Sequence, residues 1–78
     1  MAVSAYVLIQ IEMGTAGQVA TRIRDIDGVD SAEIATGPYD IIARASADTM
    51  DDLGRMVVGQ IEMVDGITRT LTCPVINL

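Results

Sequence analysis

The tetrapeptide IDGV, Ile26-Asp27-Gly28-Val29, decides how this chain is read, because VDGI returns at Val64-Asp65-Gly66-Ile67. Each copy puts a glycine, a common helix stop, directly before a β-branched residue that suits a strand. Upstream of the first copy, Ala16, Val19, Ala20 and Ile23 recur at helical spacing, with Arg22, Arg24 and Asp25 placed towards solvent or the helix end. Upstream of the second, Leu53, Met56, Val57, Ile61 and Val64 form a similar stripe. Downstream, Val29 to Thr36 reads as a rather polar strand and Ile67 to Asn77 as another. The chain is thus a weak internal repeat of helix and strand.

Each half also opens with a strand. From Ala5 to Glu12 the sequence alternates, with Val7, Ile9 and Ile11 on one face and Tyr6, Leu8, Gln10 and Glu12 on the other. Thr15 and Gln18 fit a capping box at the first helix. Asp40 to Ala47 supplies the strand of the second half. Asp48 or Thr49 caps the helix after it, with Asp51 and Asp52 in the first turn, where the dipole favours acids. The order strand-helix-strand-strand-helix-strand, with right-handed crossovers, predicts an α+β, ferredoxin-like βαββαβ sandwich with an antiparallel sheet. The first and third strands belong in the centre. The second, with Asp30 and Glu33, and the fourth, with Pro74, belong at the edges. Helices cover one face of such a sheet. The other, bearing Leu8 and its neighbours, needs a cover, and a second copy would complete a dimeric α/β barrel.

Composition points the same way. At 78 residues the chain, 1–78, is a single domain, yet 50% of it is hydrophobic and mean hydropathy is +0.40. A domain this small hides little surface, so the excess implies a symmetric homo-oligomer. Net charge is −6, with five Arg and no Lys. That balance opposes direct nucleic-acid binding and attraction to an anionic membrane. No apolar run approaches the ~20 residues that span a bilayer. One Cys and no signal peptide give the expectation of a cytoplasmic protein. With no His, no transition-metal site and no cofactor are expected.

The side chains that could carry chemistry are few. Cys73 reads as a small apolar residue rather than a reactive thiol. The acids sit at helix starts and in turns, so no catalytic residue is assigned. Thr68, Thr70 and Thr72 alternate along the last strand, either as ordinary β-branched residues or as a row of hydroxyls facing a pocket. The stretch ATGPYDIIARA, 35–45, is the other candidate. Pro38 stiffens the turn and pushes Gly37 towards extended geometry, so Tyr39 and Asp40 are aimed. Asp40 could accept from an ammonium, backbone N–H groups near Gly37 could meet a carboxylate, and Tyr39 could wall the site. A plain hairpin fits the same residues.

Ala32 to Ala47, Asp65 to Cys73 and the opening AYVLIQ resemble the ligand-binding half of the Lrp/AsnC family, the RAM domain. The resemblance covers about Ala5 to Val75. It rests on G-x-Y-D (Gly37, Tyr39, Asp40) and on D-G-[VI] followed by T-R-T-x-T (Asp65 to Thr72). Met13 stands where the family often has Pro. The resemblance implies a domain that dimerises through its sheets, assembles into rings of dimers, and binds an amino-acid effector at contacts between dimers. Gly37, Tyr39 and Asp40 are then ligand-binding residues, joined by Thr70 and Thr72. Because the first strand starts near Met1, the expectation is a stand-alone form without a helix-turn-helix, acting through a partner such as a full-length Lrp/AsnC regulator in transcription regulation. Two alternatives stand beside this sensor: a small dimeric α/β-barrel enzyme, and a purely structural assembly module. An amino-acid-binding domain of the ACT type shares the element order but not G-x-Y-D.

Overall fold

The computed structural model describes residues 2–78. Strand β1 (Val3–Ile11) leads to helix α1 (Ala16–Arg24), strands β2 (Val29–Ile34) and β3 (Ile41–Ala47), helix α2 (Met50–Met56) and strand β4 (Ile67–Pro74). The sheet is antiparallel in the order β2-β3-β1-β4. This is the ferredoxin-like arrangement, with β1 and β3 central and Pro74 on an edge strand. β1 begins two residues earlier than its alternation indicates, and β4 ends at Pro74 rather than Asn77.

The two DG turns are structurally equivalent. Gly28 and Gly66 both have positive φ, +95° and +100°. The carbonyl of Gly28 accepts from the N–H of Ser46, at the end of β3, at 2.7 Å. The carbonyl of Gly66 accepts from the N–H of Glu12, just past the end of β1, also at 2.7 Å. Each helix exit is therefore tied to the opening strand of the opposite half. A Cβ at Gly28 would lie 2.8 Å from the carbonyl oxygen of Ser46 and against Met56; one at Gly66 would lie 2.9 Å from Val19. The repeat marks two places where a Cβ has no room, against the Ser46 backbone and Met56 at Gly28 and against the Val19 and Thr15 side chains at Gly66.

The core lies between the helices and one sheet face. Ala5, Val7 and Ile9 of β1, Ile41, Ala43 and Ala45 of β3, and Ala32 of β2 supply the sheet side. Val19, Ala20 and Ile23 of α1 and Leu53, Met56, Val57 and Ile61 beyond it supply the helix side. No polar or charged residue is buried among the described residues. Each fully buried Ile or Leu contributes about 1.5–3 kcal/mol.

Helix α2 continues through Val57–Ile61 as a π-helical turn, closed by the N–H of Glu62 donating to the carbonyl of Val57 at 2.8 Å. In a regular α-helix, steps of four residues drift about 40° each around the axis. Leu53, Val57 and Ile61 are two such steps, yet all three are buried. One wider turn takes up that drift and keeps Ile61 on the core side.

One local expectation fails. Thr15 makes no capping bond to α1. It has φ −106° and ψ 2°, and its hydroxyl donates backwards to the carbonyl of Glu12 at 2.7 Å. The tight Glu12–Thr15 turn removes the hydroxyl from the helix start, so there is no capping box. Arg24 stands exposed at the helix end as expected, and its Nε and Nη2 both donate to the carbonyl of Ala32, at 2.9 and 2.6 Å. The cap at α2 is present, with the N–H of Asp52 donating to Thr49 Oγ1 at 3.1 Å.

Candidate effector site and the open sheet face

The turn between β2 and β3 is fixed against the end of β1. Its base closes where the N–H of Ala35 donates to the carbonyl of Asp40 at 2.8 Å. The N–H of Asp40 donates to the carbonyl of Ile9 at 2.8 Å. The Asp40 side chain takes the next position: its Oδ2 accepts from the N–H of Ile11 at 3.0 Å. Gln10 Nε2 donates to the carbonyl of Pro38 at 3.0 Å. β3 begins only at Ile41, so the Asp40 carboxylate satisfies a strand N–H that would otherwise face no partner. The turn is rigid for reasons beyond Pro38.

The same turn is open outwards. Nothing lies within 4 Å of where a Cβ of Gly37 would stand. Tyr39 and Asp40 are half-buried. Asp40 Oδ1 has no hydrogen bond within the described residues, so one carboxylate oxygen is free to accept.

Thr70 and Thr72 stand elsewhere. They pair with Ile9 and Val7 from the β4 side of β1, whereas Asp40 reaches β1 from the β3 side. A full strand separates the turn from the threonines, about 10 Å across the sheet. Thr70 and Thr72 share the sheet face of Val7 and Ile9, the side carrying the helices. The Thr70 hydroxyl donates to Glu62 Oε2 at 2.8 Å. A shallow cavity of about 270 Å³ is lined there by Glu62, Ile67, Thr68, Arg69 and Thr70. Within one chain, then, Gly37, Tyr39 and Asp40 come together, and Thr70 and Thr72 form a second group. Glu62 escaped the sequence reading because an exposed acid near a helix end carries no distinguishing pattern.

The sheet face away from the helices is uncovered. In register it carries Ser4, Tyr6, Leu8 and Gln10 on β1, Ile42, Arg44 and Ser46 on β3, Ser31 and Glu33 on β2, and Arg69, Leu71 and Cys73 on β4. Tyr6, Ile42 and Leu71 are 44%, 39% and 43% exposed. Arg44 lies in the middle of this face. Its guanidinium stacks over the Tyr6 ring, 5.1 Å from the centroid, and donates to the Tyr6 hydroxyl at 2.9 Å and to Ser4 Oγ at 3.2 Å. No carboxylate is within ion-pair distance of it among the described residues. Among these residues no helix is long and apolar enough to cross a membrane.

Comparison with known proteins agrees with this architecture. A sequence profile of the Lrp/AsnC ligand binding domain matches residues 4–78. An uncharacterized HTH-type transcriptional regulator of Pyrococcus abyssi is 29% identical over 72 residues, covering 88% of this chain and 48% of that protein. The chain therefore spans about half the length of the curated relatives it matches. The crystal structure of FFRP-DM1 superposes with a TM-score of 0.90 at 27% identity, over 95% of this chain and 99% of that one. A transcriptional regulator of Neisseria meningitidis, solved as an L-Met complex, shares the fold with a TM-score of 0.85 at 19% identity, over 96% of this chain and 50% of that one. With the profile matched from Ser4 to Leu78, this chain belongs to the Lrp/AsnC ligand-binding-domain family.

Proposed function

We propose that the chain is an amino-acid-sensing and oligomerisation module, related to the Lrp/AsnC transcription regulators. The observation that carries the reading is the Ala35–Asp40 turn. It is pinned to β1 by hydrogen bonds from Gln10, Ile11 and Asp40, yet it leaves open space at Gly37 and one free oxygen on Asp40. A preorganised turn of this kind suits a zwitterion: Asp40 Oδ1 accepts from the ammonium, and backbone N–H groups near Gly37 face the carboxylate. The L-Met complex of the Neisseria relative supports an amino acid as the class of effector.

Assembly belongs to the same proposal. The open face, with Tyr6, Leu8, Ile42 and Leu71, is apolar enough to call for a second sheet. Face-to-face packing makes a dimeric α/β barrel, and contacts between dimers make a ring. The one-strand separation of Asp40 from Thr70 and Thr72 favours a site completed between dimers, with the turn from one chain and the hydroxyls from another. The reading is of a non-enzymatic, cytoplasmic regulator that works through a partner such as a full-length Lrp/AsnC protein.

The engagement of Asp40 Oδ2 by Ile11 favours a second reading, in which the turn is purely structural and the chain only assembles. Thermal melting against the twenty amino acids, with light scattering in parallel, separates the two. A ligand present at a hundred times its Kd adds about 2.7 kcal/mol, a rise of ~10 °C or more for a domain of this size. One selective amino acid among the twenty supports the sensor. A defined oligomer with no response across the panel supports the assembly module.

A further inference from the structure

Thr70 brings a second carboxylate to the proposed effector site. Its hydroxyl donates to Glu62 Oε2 at 2.8 Å, while Glu62 Oε1 has no hydrogen bond among the described residues. Both residues are placed by their backbone. The N–H of Glu62 closes the π-helical turn on the carbonyl of Val57 at 2.8 Å, and Thr70 pairs with Ile9 in the sheet. The cavity of about 270 Å³ beside them is lined by Glu62, Ile67, Thr68, Arg69 and Thr70. Its functional groups are a carboxylate and two hydroxyls, with Ile67 as an apolar wall. Arg69 borders it from the strand edge, but alternation sends the Arg69 side chain to the sheet face opposite that of Thr70. No ion pair joins Arg69 to Glu62 among the described residues.

The turn carries charge of the same sign. Asp40 is the one ionisable acid or base between Ala35 and Asp40 other than Tyr39, and its Oδ1 is free while Oδ2 is held by Ile11. Where the turn of one chain meets the hydroxyls of another, two carboxylates therefore converge on one ligand. An α-amino acid carries a single α-ammonium, which satisfies one of them. A neutral effector leaves the other carboxylate partly desolvated with no counter-charge, and an acidic effector adds a like charge; both oppose binding. An effector whose side chain carries its own cation satisfies both carboxylates.

We propose that the effector is a basic amino acid, and that Glu62, steadied by Thr70, receives the cation of its side chain while Asp40 of the partner subunit receives its α-ammonium. The inference rests on the amino-acid-sensing reading and on a site completed between chains; it adds the class of effector and the residue that selects it. The methylene stem of such a side chain lies along Ile67 and the threonine methyls, as long cationic side chains do on apolar surface. Asp40 then serves any amino acid, and Glu62 serves only the basic ones.

The test is calorimetric titration of the full chain with lysine, arginine, glutamate and norleucine, which is lysine without its side-chain ammonium. Lysine or arginine is expected to bind about ten- to a hundredfold more tightly than norleucine, the factor a charge-assisted bond supplies. Glu62→Gln removes the charge and keeps an oxygen for Thr70, and Glu62 is exposed, so the variant keeps the fold. It is expected to lose most of the preference for the basic amino acid while norleucine affinity stays within about threefold of the parent. Asp40→Asn is expected to weaken the basic amino acid and norleucine by the same factor, because both carry the α-ammonium. Norleucine or glutamate binding as tightly as the basic amino acids would overturn the assignment while leaving the sensor standing. So would a Glu62→Gln variant that weakens lysine and norleucine alike, since Glu62 would then act on the shape of the site and not on the side-chain cation. Absence of heat with these four ligands and of a melting response to any of the twenty amino acids would overturn the sensor reading itself.

Discussion

The N–H of Ile11 donates to Oδ2 of Asp40 at 3.0 Å, across twenty-nine residues of sequence. This bond carries the ladder between β1 and β3 one step past the point where β3 begins. It also aims the carboxylate, because an oxygen held by a strand N–H fixes the orientation of the other. The residue that most suggests a ligand contact is thus also part of the scaffold, and the two roles need separate experiments.

Asp40→Ala and Asp40→Asn separate them. Alanine leaves the partly buried N–H of Ile11 without an acceptor, which costs about 1–3 kcal/mol. Asparagine keeps an acceptor oxygen at the same place and should cost less than half as much. The expected order of melting temperature is parent, Asn, Ala, at one protein concentration. Effector affinity should fall about ten- to a hundredfold in Asp40→Asn, since a charge-assisted bond contributes roughly 1.5–3 kcal/mol. Calorimetric titration checks this. Equal melting for all three proteins would show that the bond to Ile11 does not hold the turn.

Gly28→Ala should be severe and Gly37→Ala mild. Both glycines have positive φ, +95° and +146°. A Cβ at Gly28 collides with the Ser46 carbonyl, a backbone atom that cannot swing aside. Backbone strain of about 1–2 kcal/mol and overpacking of about 1–3 kcal/mol then act together. At Gly37 the new atom meets nothing within 4 Å, so strain acts alone. Urea unfolding of the two variants measures the difference; comparable losses would mean that the DG turn has room the contacts do not indicate.

What the sequence discloses here follows from periodicity. The alternation of Val7 and Ile9, the stripe of Leu53, Met56, Val57 and Ile61, and Pro74 at an edge were all legible, because burial selects apolar residues at fixed intervals. The pairing of IDGV with VDGI disclosed the two-halved topology, because close backbone approach admits only glycine. The π-helical turn was not legible, since Val57 and Ile61 satisfy an α-helical stripe almost as well. The failed capping box at Thr15 and the bonds from Arg24 to Ala32 depend on where one hydroxyl and one guanidinium find an acceptor. The acceptors, the carbonyls of Glu12 and Ala32, carry no sequence signal. For the candidate site, the turn was legible from Gly37 to Asp40, but the strand separating it from Thr70 is a matter of sheet order and register.

The two threonines offer a direct comparison of cap and non-cap. Thr49 Oγ1 accepts from the N–H of Asp52, so Thr49→Ala should destabilise by about 1 kcal/mol, a fall of ~4–8 °C in Tm. Thr15 makes no such bond; its hydroxyl donates at an exposed turn, and Thr15→Ala should cost less than half as much. Melting of both variants at one concentration checks the order, and a larger loss at Thr15 would restore the capping box.

The last prediction concerns nucleic acid. The homologues are HTH-type transcriptional regulators, so DNA is the natural thing to try. Net charge is −6, and the five arginines are poorly disposed to bind phosphate. Arg24 is folded onto the carbonyl of Ala32, Arg44 is held on Tyr6 and Ser4, and Arg55 is paired with Asp52 at 3.4 Å. That leaves Arg22 and Arg69, on α1 and on the β4 edge. Two separated cations cannot release enough counterions to offset the repulsion of the remaining carboxylates. The chain by itself should therefore leave a DNA fragment unshifted in a gel run at low salt, where electrostatic binding is strongest. Mixed with a full-length relative, it should change that relative's assembly rather than add contacts to the DNA. A salt-sensitive complex formed by this chain alone would show that its charge distribution in solution differs from the one described, and would end the reading of a module that acts only through a partner.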